Sequence, residues 1–427
     1  MKSLFDKIRK ELASEIAAIK LFIIRYGLRA DGIELSRKIE GYPEKYRTKR
    51  SIKYTGIQDG RLVDKEQRDI PRIPEEIFIT VDGKESVVKT NYKPDAPFQL
   101  RIANDHLLVL APELGIKIPC RLSPRHGIFD QIIDGFPADQ YIDIIGSDRL
   151  AVLGFDGCAG WFYGTQCLFC DSCASRPGEI KARPTLNDLR VQFSDNVAAW
   201  LNHVEPPFFK GLEKAYRQAL ERRQFGPHCH LLVLAGNLTD MESAWEYMLR
   251  LSHVLSEVKP LSEIDSYLNM LPPAKTDYIE KVKELGFNNL IANLEVHGEK
   301  FFKAVCRGKN DLVPYDLFLE RMQDAVAVFG KGHVRCGFVL GAQPVDVLKE
   351  GVIQLAEAGI ASDYSLFTPK KGTPWEKRDQ PDLMEVAAFS RFLSGIYRTY
   401  GFKPLYCAMS SRSSIMNECY EAAHDRR

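Results

Sequence analysis

Four thiols, Cys158, Cys167, Cys170 and Cys173, fall within one short stretch, GCAGWFYGTQCLFCDSC, while Cys120, Cys229, Cys306, Cys336, Cys407 and Cys419 are scattered. In a long chain with no leader-like apolar segment, such a cluster reads as a metal site in a reducing compartment rather than a disulfide framework. Thiolates select soft metals, zinc or iron–sulfur. Structural zinc sites usually pair two distant C-x2-C knuckles, and a C-x2-C-x2-C run is tight for one tetrahedral ion. An iron–sulfur cube is larger and accepts closely spaced thiolates from a loop. Three protein thiolates leave one iron open to a substrate or cofactor. Spacing alone leaves iron–sulfur, zinc and unligated thiols all open.

The elements around the thiols say where they stand. The apolar run RLAVLGF precedes them, so they fall on the loop leaving a strand. Further runs, HLLVLAG, IDSYLNML, NLIANLEV, VRCGFVLG and IASDYSLFTP, alternate with amphipathic stretches such as MESAWEYMLRLSHVLSEV, DYIEKVKELG, PYDLFLERMQDAVAVFG and VDVLKEGVIQLAEAG. Strand–helix units at this spacing predict a parallel sheet with right-handed crossovers, six units fitting between residues 148 and 400. In such sheets ligands bind at the C-terminal edge, where the thiol loop lies. Periodicity does not separate an open doubly wound sheet from a curved partial barrel.

Leu4, Ile8, Leu12, Ile16, Ile19 and Ile23 recur at helical spacing and predict one amphipathic helix over residues 3–28, docked on the body of the protein. Residues 30–145 read as irregular, with short strands at 77–81, 85–90, 98–102 and 106–110. The domain reading is an N-terminal helix and irregular subdomain over 1–147, a barrel-like unit over 148–400 and a closing segment over 401–427. The chain has 427 residues, with 58 Lys plus Arg against 57 Asp plus Glu, a net charge of +1. That balance offers no electrostatic footprint for nucleic acid. No apolar run approaches the roughly 18 residues of a membrane span. Asp6, Glu11 and Glu15 argue against an acid-poor transit peptide, so the reading is a cytoplasmic protein.

The order of motifs over about residues 148–420 resembles the radical S-adenosylmethionine (SAM) superfamily, and within it the biotin synthase-like group. The family loop, C-x3-C-x2-C after the first strand, has an aromatic residue before its last Cys. Here Cys167-Leu168-Phe169-Cys170 matches that half, and Cys158 precedes it across an eight-residue spacer, an atypical C-x8-C-x2-C. The resemblance implies Cys158, Cys167 and Cys170 as ligands of a [4Fe-4S] cluster, with Cys173 spare. Ala235-Gly236-Asn237 resembles the turn that holds the SAM amino group, with Gly236 and Asn237 the matching residues. Glu295 resembles the carboxylate at the fourth strand end that reaches SAM, and Arg307 is a partner for the SAM carboxylate. Gly337, Val339 and Gly341 match a G-x-I-x-G strand that packs on adenine and ribose, though its trailing Glu is Pro344 here. SLFTPKKGTPW is similar to the family's sixth strand-end loop.

The resemblance implies a partial (β/α)6 TIM-like barrel, with an irregular α+β N-terminal extension and a C-terminal closing segment. It implies an enzyme that reductively cleaves SAM and uses a 5′-deoxyadenosyl radical on a small-molecule substrate, by sulfur insertion, lysis, rearrangement or methylation. A low-potential electron donor of flavodoxin or ferredoxin type would be its partner, and the long N-terminal segment a candidate lid. The alternative is a non-catalytic, zinc-stabilised α/β binding protein. Arg412 is the substrate-contact candidate in the last segment, and Cys407 with Cys419 a candidate second cluster. His228 and His230 flank Cys229 at the start of the second strand and are expected to pack rather than bind metal, and Cys306 and Cys336 to be small buried hydrophobes.

Overall fold

The computed structural model describes residues 1–48, 53–58, 61–66, 73–146, 148–172, 181–222, 229–404 and 413–424. Cys173, His228, Cys407 and Arg412 lie outside them.

Six parallel strands follow one another in chain order: β1 (Arg149–Leu153), β2 (His230–Leu234), β3 (Asp265–Asn269), β4 (Asn289–Ile291), β5 (Val334–Leu340) and β6 (Ala361–Leu366). Every neighbouring pair is parallel, and a short antiparallel strand, Asp143–Ile145, covers the free edge of β1. The crossover helices are α1 (Val197–Glu221), α2 (Met241–Val258), α3 (Asp277–Glu284), α4 (Tyr315–Phe329) and α5 (Val345–Glu357), and α6 (Leu383–Tyr400) follows β6. Consecutive strand order with no reversal is the half-barrel solution, not the doubly wound one. The sheet is curled: Arg149 on β1 acts electrostatically on Asp363 on β6, although five strand spacings would part them by about 24 Å in a flat sheet.

Alternation along the strands builds two cores. Leu150, Val152, Leu231, Val233, Leu268 and Phe338 face the helices and join the main apolar cluster. Leu232, Tyr267 and Ile291 form a small separate cluster that faces the lumen. The lumen floor is polar: Arg149 Nε donates to His230 Nε2 at 2.7 Å. His230 is therefore a packed residue at the N-terminal edge of the sheet, as expected.

The N-terminal helix is two helices, Lys2–Leu12 and Glu15–Tyr26. Ala13 turns into the left-handed region (φ 50°) and closes the first, while the Ser14 side chain accepts from Ala17 N and starts the second. The hydrophobic spacing runs unbroken through both, which is why the break is invisible to periodicity. The strand readings at 77–110 are accurate within a residue or two. They join Leu28–Ala30 and Ile116–Leu122 in one six-stranded sheet, antiparallel apart from the parallel pair Leu28–Ala30 with Phe98–Ala103. Its hairpins turn at Asp82-Gly83 and Asn104-Asp105, all four residues with positive φ, as two-residue hairpin loops require.

The second helix is buried along most of its length, and Lys20 with it. Its ammonium pairs with Glu418 Oε1 at 2.8 Å, and Ser86 Oγ donates to the same oxygen. Glu418 belongs to the last helix, Met416–His424, which packs on α6 and on Glu15–Tyr26. One buried ion pair, with Ser86 beside it, thus ties the N-terminal third to the last helix. Removing one partner of such a pair strands the other charge in apolar surroundings. We predict that Lys20→Met lowers stability by about 3–5 kcal/mol, read as a lower urea midpoint. The double change Lys20→Met with Glu418→Leu should recover most of it, and a wild-type midpoint for Lys20→Met would refute the account.

Candidate functional site

β1 is followed by Gly154, whose N–H donates to Leu234 O at 2.9 Å and whose carbonyl accepts from Tyr247 Oη at 2.8 Å. Gly157 then takes φ 104°, and Cys158 caps a one-turn helix, Ala159–Phe162. A turn closes behind it, Thr165 N donating to Gly160 O at 2.9 Å. The eight-residue spacer between Cys158 and Cys167 is therefore folded into a helical turn that brings the chain back. Cys170 N donates to Cys167 O at 3.1 Å, so the last two thiols share a tight turn.

Three neighbours fix this loop at the barrel mouth. Asn237 O accepts from Ala159 N at 2.8 Å, and a side chain at Gly236 would collide with the Gly157 carbonyl oxygen. The segment after β4 makes the second contact: Leu168 N donates to Val305 O at 3.0 Å, and Gly308 N donates to Thr165 O at 2.9 Å. The loop after β6 makes the third, through Trp375 N donating to Leu168 O at 3.0 Å and Phe169 packing on the Trp375 ring at 6.2 Å.

Cys158, Cys167 and Cys170 are half-buried and act on one another electrostatically. Burial pushes the Cys170 thiol up to about 12, with Cys167 adding to the shift. The Cys158 thiol is raised chiefly by burial. Cys167 is raised well above the ordinary range, first by a hydrogen bond with the Cys306 thiol and then by burial. Among the described residues, no group of three or more His, Cys, Asp or Glu side chains closes around a single ion.

Glu295 has φ 69°, a costly backbone for a residue with a side chain. It is held there by Glu295 N donating to Gly337 O at 2.9 Å and Val339 N donating to Glu295 O at 2.8 Å. Its Oε1 accepts from Lys309 Nζ at 2.7 Å, and Lys309 also donates to Asn293 O at 2.9 Å. Burial alone would lower the Lys309 ammonium, but Glu295, Cys167 and Cys306 together hold it above its ordinary range. Asn293 Oδ1 accepts from Gly337 N at 2.9 Å, and a Cβ at Gly337 would lie 2.6 Å from it. Val339 is buried, and Gly341 takes φ 104° against Pro381.

The thiol loop, Phe169, Gly236, Asn237 and Glu295 thus gather at one mouth. Gly337, Val339 and Gly341 line the adjoining β5. Arg307 is exposed at the start of a short helix, and the cation that faces the thiols is Lys309. Lys309 escaped the sequence reading, and Cys306 is buried as expected but lies against Cys167; their i, i+3 spacing puts the two on one face. Asp363 escaped it too. It faces the lumen beside Gly337 in register, half-buried, with burial raising its carboxyl against the pull of Arg335 and Arg149. Cys419 lies elsewhere: it is buried beside α6, where Ser394 Oγ donates to its carbonyl at 3.3 Å, on the helix-facing side of β6.

No family model matches the chain. Over 176 residues it is 27% identical to bacteriochlorophyllide c C-7(1)-hydroxylase of Chlorobaculum limnaeum, covering 40% of this chain and 44% of that protein. The match therefore spans less than half of the relative. The structure is similar to that of methylornithine synthase at TM-score 0.39 and 15% identity, covering 60% of this chain and 65% of the other. For coproporphyrinogen III oxidase from Escherichia coli, described as a radical SAM enzyme, the TM-score is 0.37 at 12% identity, covering 64% and 58%. For a radical SAM methyltransferase from Sphaerobacter thermophilus it is 0.39 at 14%, covering 75% and 82%.

The contact of Gly236 with Gly157 is backbone on backbone and has no flexible side chain to yield. Gly236→Ala is expected to lower stability by about 1–3 kcal/mol and to speed alkylation of Cys158 in the native protein. Gly395→Ala, in open space inside α6, should instead stabilise by about 0.5–1 kcal/mol. Urea unfolding and peptide mass mapping check both, and a neutral Gly236→Ala would mean the two strand ends are not in contact.

Proposed function

We propose that this chain is a radical SAM enzyme acting on a carbon–hydrogen bond of a small molecule. The observation that carries the reading is the convergence of Cys158, Cys167 and Cys170 with the Glu295–Lys309 pair at the mouth of a six-stranded parallel half-barrel. The donor set fits a [4Fe-4S] cluster: three thiols from one loop, held by backbone contacts on three sides, with a buried cation beside them. When bound, the cluster and SAM supply a 5′-deoxyadenosyl radical for hydrogen abstraction.

The remaining roles belong to this chain's own residues. In this reading Gly236 and Asn237 would hold the SAM amino group, and Glu295 would take a SAM hydroxyl or ammonium. Gly337, Val339 and Gly341 offer a flat wall for adenine and ribose, and Phe169 braces the loop on Trp375. Lys309, rather than the exposed Arg307, is the cation placed for the SAM carboxylate. The biotin synthase-like grouping rests on the strand-end motifs alone. The relative's name specifies hydroxylation of a chlorophyllide; we carry over reaction at a carbon–hydrogen bond and leave the chlorophyllide with the relative. A low-potential flavodoxin or ferredoxin is the proposed reductant. Among the described residues, no helix is long and apolar enough to cross a membrane.

Four single variants test the ligand set. Cys158→Ala, Cys167→Ala and Cys170→Ala should each abolish iron and sulfide content and the formation of 5′-deoxyadenosine under reductant. Cys173→Ala should keep most of the iron. Loss of iron in Cys173→Ala with retention in Cys158→Ala would replace one ligand by the other.

Lys309→Met should keep the iron and weaken SAM binding by about tenfold or more, the worth of a charge-assisted hydrogen bond. Calorimetric titration with SAM reads this, and unchanged affinity would return the role to another cation.

A further inference from the structure

Cys306 is fully buried and belongs to no metal-ligand spacing, yet it sits directly against the thiol loop. Two backbone hydrogen bonds run between the segments in opposite senses, Leu168 N to Val305 O at 3.0 Å and Gly308 N to Thr165 O at 2.9 Å. They bracket Cys167 on one segment and Cys306 on the other, so the chains run antiparallel and the two cysteines stand opposite one another. The Cys306 thiol is near enough to raise that of Cys167, and its Sγ donates to Leu294 O at 3.9 Å. A side chain at Gly308 would meet Thr165 O at 2.6 Å, so the segments are as close as a glycine permits. Cys306 is the single residue between the helices Glu299–Val305 and Arg307–Leu312, and a disulfide needs its Cα within roughly 4.4–6.8 Å of that of Cys167.

We infer that Cys167 and Cys306 form a disulfide when the cluster is absent, and that this cross-link and cluster binding exclude one another. The second half rests on Cys167 being a cluster ligand. A sulfur joined to Cys306 has no thiolate left to give to iron. The pair has an asymmetric route to oxidation. Cys167 is half-buried and open to a small disulfide in solution, whereas Cys306 is sealed. With oxidised glutathione as the oxidant, the Cys167 thiolate attacks one glutathione sulfur and releases one glutathione thiol. The Cys306 thiolate then attacks the Cys167 sulfur and releases the second. Two protein thiols are oxidised, one glutathione disulfide is reduced to two thiols, and two protons pass from the cysteines to the departing glutathiones.

The experiment treats full-length, metal-free protein with oxidised glutathione, blocks the remaining thiols, and maps peptides by mass spectrometry. The expected product is a peptide pair joined through Cys167 and Cys306, lighter by two hydrogens than the separate peptides. Cys306→Ser should stop at the first step, with glutathione trapped on Cys167. The oxidised wild type should take up little iron until dithiothreitol is added, and the reduced wild type should take it up directly. Cys167 found free, or joined to Cys158 or Cys170, would overturn the inference while leaving the ligand reading intact. A mapped Cys167–Cys306 cross-link in a protein that takes up no iron when reduced would support the cross-link and overturn the ligand reading.

Discussion

The site depends on how closely the ends of β1 and β2 approach. Gly157 turns with φ 104°, its carbonyl lies against Gly236, and Asn237 O receives the Ala159 N–H. A side chain at Gly236 would force these strand ends apart. The one-turn helix after Cys158 would then lose its anchor, and the return of the chain to Cys167 would start from the wrong place. Parallel strands supply this geometry because all their C-terminal ends open on one side, where loops from different strands meet. Thiols from the β1 loop, a glycine from β2, and Glu295 with Lys309 from the chain after β4 are brought together by that rule.

Much of this was legible in the residues. The six apolar runs and their helices are where the periodicity put them, because alternation and amphipathicity arise from the burial that builds the elements. The thiol loop was legible from its spacing, and its placement on a strand end followed. The break at Ala13 was not, since a left-handed cap at an alanine leaves the hydrophobic pattern intact. The six-stranded N-terminal sheet was legible only as separate strands, because which hairpin pairs with which depends on contacts distant in sequence. Arg307 was read as the cation of the mouth; it is exposed, and Lys309, two positions on, is the one that acts on the thiols. The choice between them is one of helix face, set by how Arg307–Leu312 docks, and a strand-end motif carries no such information.

The electrostatics of the mouth are those of a site that disfavours bare thiolates. Burial raises Cys158 and Cys170, and hydrogen bonding with Cys306 raises Cys167 further. A metal centre reverses this balance, since its charge deprotonates coordinating thiols outright. Lys309 stands beside them as a buried cation whose charge is maintained chiefly by Glu295. The Glu295 backbone, held at φ 69° by two hydrogen bonds to β5, fixes that pair relative to the strand wall. Without a metal ion the mouth thus favours protonated thiols.

The described contacts of the N-terminal third run to α6, to the last helix and to the loop after β6. Glu11 meets Arg391 on α6, Arg25 Nη1 donates to Gln380 Oε1 at 2.8 Å, and Lys20 pairs with Glu418 beside α6. Residues 127–140 pack on α1, and Gln140 Oε1 accepts from Ala182 N. A partial barrel of six strands has two free edges, each with unpaired backbone groups and a bare helix flank. The strand Asp143–Ile145 covers the β1 edge. The last helix and the N-terminal helices lie against α6, the helix that follows β6. By flanking both ends of the curled sheet, the extension does for this half-barrel what two further strand–helix units do for a closed one.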